Sequence, residues 1–142
     1  MSELDKVNAP DGFDVMAGRE LADGWAKKEK GNTIQGRLMG RFTMGDEGRA
    51  FYQVRLDKPS KAITGKGDET QEVLLEKGKL INVDESKAME DLRKYATNGG
   101  VYDVWICYGE KQKTDNGTFW PIVNGPRVKV IKAPPKEAAI PF

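Results

Sequence analysis

Between Thr33 and Thr43 the chain alternates with a period of two, and two glycines sit on the apolar side of that alternation. Ile34, Leu38 and Phe42 fall on one face with Gly36 and Gly40, and Gln35, Arg37, Met39 and Arg41 fall on the other. A period of two marks a half-buried strand, because successive side chains project to opposite sides of a sheet. Glycines on the inner face let such a strand bend sharply or let another backbone approach it. A first strand of this kind suits a small closed barrel, where it must serve both halves of the sheet.

The rest of the chain adds mostly strands. Gly45–Gly48 reads as a turn, and Ala50–Leu56 alternates again, with Tyr52, Val54 and Leu56 opposite Phe51, Gln53 and Arg55. Asp57–Thr70 reads as a long polar loop. Strand character returns over Gln71–Val83, broken at Lys77-Gly78 by a bulge or tight turn. Ala88, Met89, Leu92, Tyr95 and Ala96 recur at helical spacing, so Asp84–Tyr95 is expected to be the one good helix. Asp84 or Ser86 can cap its start, and Asn98-Gly99-Gly100 ends it. Val101–Tyr108 is the strongest strand. Asp115-Asn-Gly117 signals a hairpin whose returning strand covers Thr118–Val123, and Asn124-Gly-Pro126 turns the chain into a last apolar alternation through Val128, Val130 and Ile131.

Strand, strand, strand, helix, strand, strand is the order of an OB-fold. The expected class is therefore all-β, a five-stranded Greek-key barrel with its helix between strands 3 and 4. An open antiparallel sheet carrying one helix, or another small barrel, competes with it. The expected organisation is an N-terminal arm over residues 1–30, the folded domain over 31–131, and a C-terminal tail over 132–142.

Composition narrows the chemistry. The 142 residues hold 23 Lys and Arg against 22 Asp and Glu, so the net charge of +1 does not announce a polyanionic partner. Binding depends on where charge sits rather than on its sum. The chain has no histidine, which removes the commonest general base and the commonest zinc ligand. Its single cysteine, Cys107, makes no internal disulfide and has no histidine to activate it. Asp103 and Glu110 form no recognisable catalytic pair, and Gly65-Lys-Gly67 and Gly99-Gly100 lack the placement a phosphate loop needs. The expectation is a non-enzymatic protein without cofactor or metal, cytoplasmic, with no membrane segment.

The last three residues, Ile140-Pro141-Phe142, follow a short linker containing Pro134-Pro135. With an OB-like order of elements over 31–131, this ending resembles bacterial and phage single-stranded DNA-binding proteins. The resemblance implies a core that coats single strands, a tip that recruits replication, recombination or repair proteins, and possible homo-oligomers. Two features depart from that family: Lys136-Glu-Ala-Ala139 stands where an acidic run would be, and the linker is short.

Single-strand binding needs cations along a groove and flat side chains on which bases stack. The outward positions of the first two strands supply Arg37, Arg41, Phe51 and Arg55, expected on one surface. Trp105 shares a strand face with Asp103 and Cys107, away from Tyr102, Val104 and Ile106; it is either a stacking platform or covered by the helix or arm. Phe119 and Trp120 cannot both point inward, which makes Trp120 a second candidate. Lys111 and Lys113 in one loop and Lys61 in another add charge. The alternative for all of these is an ordinary solvated sheet face. The expected function is largely sequence-independent single-stranded DNA binding, with Ile140, Pro141 and Phe142 for a partner protein. The alternative is a protein-interaction module in a phage or other assembly.

Overall fold

The computed structural model describes residues 22–44, 49–65 and 67–135. Among them run ten strands: β1 (Gly24–Ala26), β2 (Thr33–Met44), β3 (Arg49–Leu56), β4 (Ser60–Thr64), β5 (Gln71–Leu75), β6 (Leu80–Asp84), β7 (Val101–Cys107), β8 (Gln112–Thr114), β9 (Gly117–Phe119) and β10 (Arg127–Lys132). Eight of them form one sheet in the order β10-β7-β2-β3-β6-β1-β4-β5, and β8 and β9 pair separately as a hairpin. Neighbours in the large sheet are antiparallel except β1 and β6, which are parallel.

This corrects the expected five-stranded barrel. The sheet is open, with β10 at one edge and β5 at the other. Closure would need the last strand to reach the free side of β6. That side is taken by β1 through Gly24↔Ile81 and Trp25↔Asn82, and β4 and β5 continue the sheet beyond it. The loop expected over Asp57–Thr70 thus contains a strand, β4, whose Ala62 and Ser60 are buried. Gly24–Ala26, in the segment read as an arm, is a strand inside the sheet.

The core lies on one face. Ile34, Leu38, Tyr52, Val54, Ile81, Val83, Val104 and Ile106 point to it, and Met89 and Leu92 cover it. The expected helix over Asp84–Tyr95 is instead a 3-10 stretch, Lys87–Leu92, running into a short helix α1 (Arg93–Thr97). Asp84 stays in β6, and the helical spacing seen in the sequence serves to bury Met89 and Leu92. Asn98 closes the segment, its Oδ1 accepting from the Gly100 backbone N–H and the Tyr102 hydroxyl at 2.9 Å each.

β7 follows its alternation: Tyr102, Val104 and Ile106 are buried, with partly exposed residues between. Lys77-Gly78 is a turn, with Gly78 at φ 93°. The Asp115-Asn-Gly117 hairpin also forms, with Gly117 at φ 123°. Its returning strand is shorter than expected. It ends at Phe119, and only the bridge between Tyr108 and Ile122 continues toward the core.

Gly36 and Gly40 have different roles. A Cβ on Gly36 would stand 2.0 Å from the Arg55 carbonyl oxygen, so here the glycine admits a neighbouring backbone. Between Leu38 and Gly40 the register with β3 slips by one residue, leaving Met39 as a bulge. A one-residue slip exchanges the faces of everything after it. Arg41 therefore pairs with Tyr52 on the core face, and Phe42 pairs with Phe51 on the opposite face.

Candidate nucleic-acid interface

The face of the sheet opposite the core is organised in cross-strand rows. One row runs Arg127, Trp105, Gln35 across β10, β7 and β2. The next runs Lys129, Asp103, Arg37, Arg55 across β10, β7, β2 and β3. Residues directly opposite each other on one face are close enough to act together. A shallow hollow of about 270 Å³ lies against these rows, bordered by Gln35, Asp57, Asp103, Trp105, Arg127 and Lys129.

Trp105 is half-buried and makes no hydrogen bond or ring contact among the described residues. Arg127 and Lys129 are exposed and enter no ion pair among the described residues. Arg37 is more constrained: its Nε donates to Asp103 Oδ1 at 2.8 Å while the side chain stays 43% exposed. Arg55 donates through Nη1 to the Gly78 carbonyl at 3.0 Å.

The other residues expected at the interface are dispersed. The bulge puts Arg41 on the core side, where it grips Glu85 through Nε and Nη2. Phe51 keeps its outward face but is fully buried, tilted against Trp25 at 5.2 Å and Phe42 at 5.8 Å between ring centroids. The Arg49 guanidinium lies 5.0 Å over the Trp25 ring. Lys61 donates to Glu29 at 2.6 Å from β4, which pairs with none of the strands that carry these rows. Lys111 and Lys113 lie before and within the exposed β8–β9 hairpin. Trp120 is half-buried against the core and lines a separate, larger cleft. Ile140, Pro141 and Phe142 lie outside the described residues.

So the structure brings Trp105, Arg37 and Arg55 together and adds Arg127 and Lys129, which were not singled out from the sequence. Their signal was present: Arg127 and Lys129 alternate with Val128 and Val130, which places both cations on one face of the strand.

Behind the sheet a polar cluster holds the helical segment in place. Glu85 has a side chain only 5% exposed and accepts from Arg41, Arg93 and the Tyr52 hydroxyl. Burial pushes its carboxyl up, but the hydrogen bonds from Arg41, Arg93 and Tyr52 outweigh this and hold it well below the usual carboxylate range. Burial and the bond to Glu85 push the Tyr52 hydroxyl above its ordinary value.

No protein family, curated protein or solved structure that the chain was compared with matches it. No helix among the described residues is long and apolar enough to cross a membrane.

Proposed function

We propose that the chain binds single-stranded nucleic acid, DNA in the first instance, across the outer face of β10, β7 and β2. The observation that carries this reading is Trp105 standing in register with Arg127, without a partner for its ring among the described residues, beside a row containing Lys129 and Arg37. An aromatic ring offers every base a stacking surface, and flanking cations meet the phosphates, so such a surface holds a strand with little regard to sequence. Asp103 and Asp57 temper the positive charge, but Asp103 is already engaged by Arg37. The closed barrel forms no part of the reading. Adding poly-dT at low salt is expected to quench the Trp105 fluorescence, measured as the difference between the parent and Trp105→Phe. Absence of binding by poly-dT at low salt would overturn it.

A protein-interaction role is the second reading, and the β10 edge favours it. Val130 is 57% exposed and Ile131 44%, on a strand whose outer side pairs with no other strand among the described residues. An edge of this kind can accept a strand from a partner chain. Recruitment of a partner protein through Ile140-Pro141-Phe142 goes instead with the strand-binding reading, as the resemblance implies. Pull-downs with full-length and tip-deleted protein test it, and identical recoveries from both would reject the tip as the contact.

A further inference from the structure

A cleft opens on the core face of the sheet, opposite the face that carries Trp105. It has a volume of about 650 Å³, between the 3-10 segment after β6 and the stretch that leaves the β8–β9 hairpin. Phe119 and Trp120 form an aromatic wall, Phe119 being 48% exposed, and Met89 and Ile122 supply apolar floor. Lys28, Lys87 and Asp84 stand at its rim. Asp84 is already engaged by Arg49 at 2.7 Å and Lys28 at 3.6 Å, while Lys87 makes no ion pair among the described residues. The rim is therefore net positive, with one ammonium unspent.

Tyr108 also lines the cleft. It is 2% exposed, and its hydroxyl is buried without a hydrogen-bond partner among the described residues. A buried hydroxyl left unpaired is costly, and such groups call for an explanation. A concave apolar site of a few hundred Å³ with a few polar groups placed in it is the usual form of a small-molecule site.

We infer that this cleft is a binding site for a single nucleotide, its base stacked on Trp120 and Phe119, its ring edge at the Tyr108 hydroxyl and its phosphate at Lys87. Each part of that ligand answers one feature. The flat ring covers aromatic wall that water now wets, a heteroaromatic edge offers the hydroxyl a partner, and the phosphate neutralises the free ammonium. A hydroxyl both donates and accepts, so one such contact does not choose among bases. The inference stands independently of the Trp105 face, because a free mononucleotide can fill the cleft of a protein that binds no strand. The same chemistry also comes from the phosphorylated end of a strand.

Titration of the 15N-labelled protein with AMP tests this, following the tryptophan indole resonances, each assigned as the one lost in the corresponding Trp→Phe variant. The expected result is a saturable shift of the Trp120 signal with little change at Trp105. Ribose 5-phosphate, which lacks the base, should leave Trp120 unmoved. Tyr108→Phe, which keeps the ring, should weaken AMP binding about three- to tenfold, the range for one hydrogen bond. Lys87→Gln should weaken it and flatten its salt dependence. A 5′-phosphorylated oligo-dT that shifts Trp120 more tightly than AMP identifies a strand end as the occupant; a weaker response identifies the free nucleotide. No Trp120 shift with either AMP or the phosphorylated oligonucleotide overturns the inference, as does a response to ribose 5-phosphate equal to that to AMP, or affinity unchanged in both variants. A Trp105 response to oligo-dT in the absence of any Trp120 response would leave the strand-binding reading standing and the nucleotide cleft rejected.

Discussion

The guanidinium of Arg41 holds the carboxylate of Glu85 through two hydrogen bonds, Nε to Oε2 at 2.8 Å and Nη2 to Oε1 at 2.9 Å. This fork joins the bulged half of β2 to the start of the segment that covers the core. Arg93, from α1, reaches the same carboxylate at 2.7 Å. Glu85→Gln should therefore destabilise the protein by about 1.5–3 kcal/mol at neutral pH, the range for hydrogen bonds to a charged group. Urea denaturation of the two proteins measures it.

The same cluster sets a pH dependence. The Glu85 carboxyl is held below its unfolded value, so its stabilisation is fully present above the unfolded pKa, near 4.3. It is lost as pH falls from there toward the lower folded value. Stability should decline progressively below about pH 4, and the decline should be shallower in Glu85→Gln. Equal slopes in thermal melts of both proteins at acid pH would show that other carboxylates govern acid unfolding.

Trp105→Ala should weaken binding of single-stranded DNA by about 1–3 kcal/mol, as for loss of one stacking platform. Its effect on the melting temperature should be small, because the ring sits on the face away from the core. A large fall in melting temperature with unchanged affinity would identify the ring as structural.

Affinity should fall with salt, with a slope of log K against log salt of about −0.7 for each phosphate contacted. Replacing Arg127 and Lys129 together by Ala should reduce the magnitude of that slope by about 1.4, two contacts' worth. A slope unchanged in the double variant would mean that the strand does not cross β10.

Gly36→Ala should destabilise by at least about 2 kcal/mol, because overpacked sites force backbone to move. Its Cβ would meet the Arg55 carbonyl oxygen at 2.0 Å and the Arg55 carbonyl carbon at 2.9 Å. Gly78→Ala should cost less: its strain comes only from a φ of 93°, with open space around the new Cβ. The two melting temperatures give the comparison directly.

Local pattern was legible where one residue's neighbours decide its state. The β7 alternation, the Lys77-Gly78 turn and the Asp115-Asn-Gly117 hairpin all form, and the outward face of Trp105 followed from parity alone. What was illegible depends on partners far away in the chain. Nothing within Leu38–Arg41 announces that Met39 will bulge; that depends on the register with β3, and it moved Arg41 from the interface to the core side. Gly24–Ala26 and Ser60–Thr64 are too short to show a period; β1 is a strand because β6 and β4 supply its hydrogen bonds, and β4 because β1 and β5 supply its own. The open sheet follows from those two insertions, as does the loss of the barrel. Phe51 was assigned to the correct face, but its burial depends on Trp25 and Phe42, brought beside it by β1 and by the slipped register.

The three residues of β1 have a mechanical consequence. In the strand order, β4 and β5 join the other strands only through β1. The buried Asn32 fastens the same seam, its Nδ2 donating to the Lys27 and Lys61 carbonyls at 2.7 and 2.9 Å and its Oδ1 accepting from the Lys61 N–H at 3.0 Å. Gly24–Ala26, with Asn32 beside it, is thus a clasp between two panels, one built on β2, β3, β6, β7 and β10, the other the pair β4 and β5, which adds Ala62 and Leu75 to the shared core. Paired strands without a third partner have little stability of their own, so opening the clasp would release the smaller panel as a unit. Its amides should exchange with solvent by that shared opening, earlier than those of the larger panel.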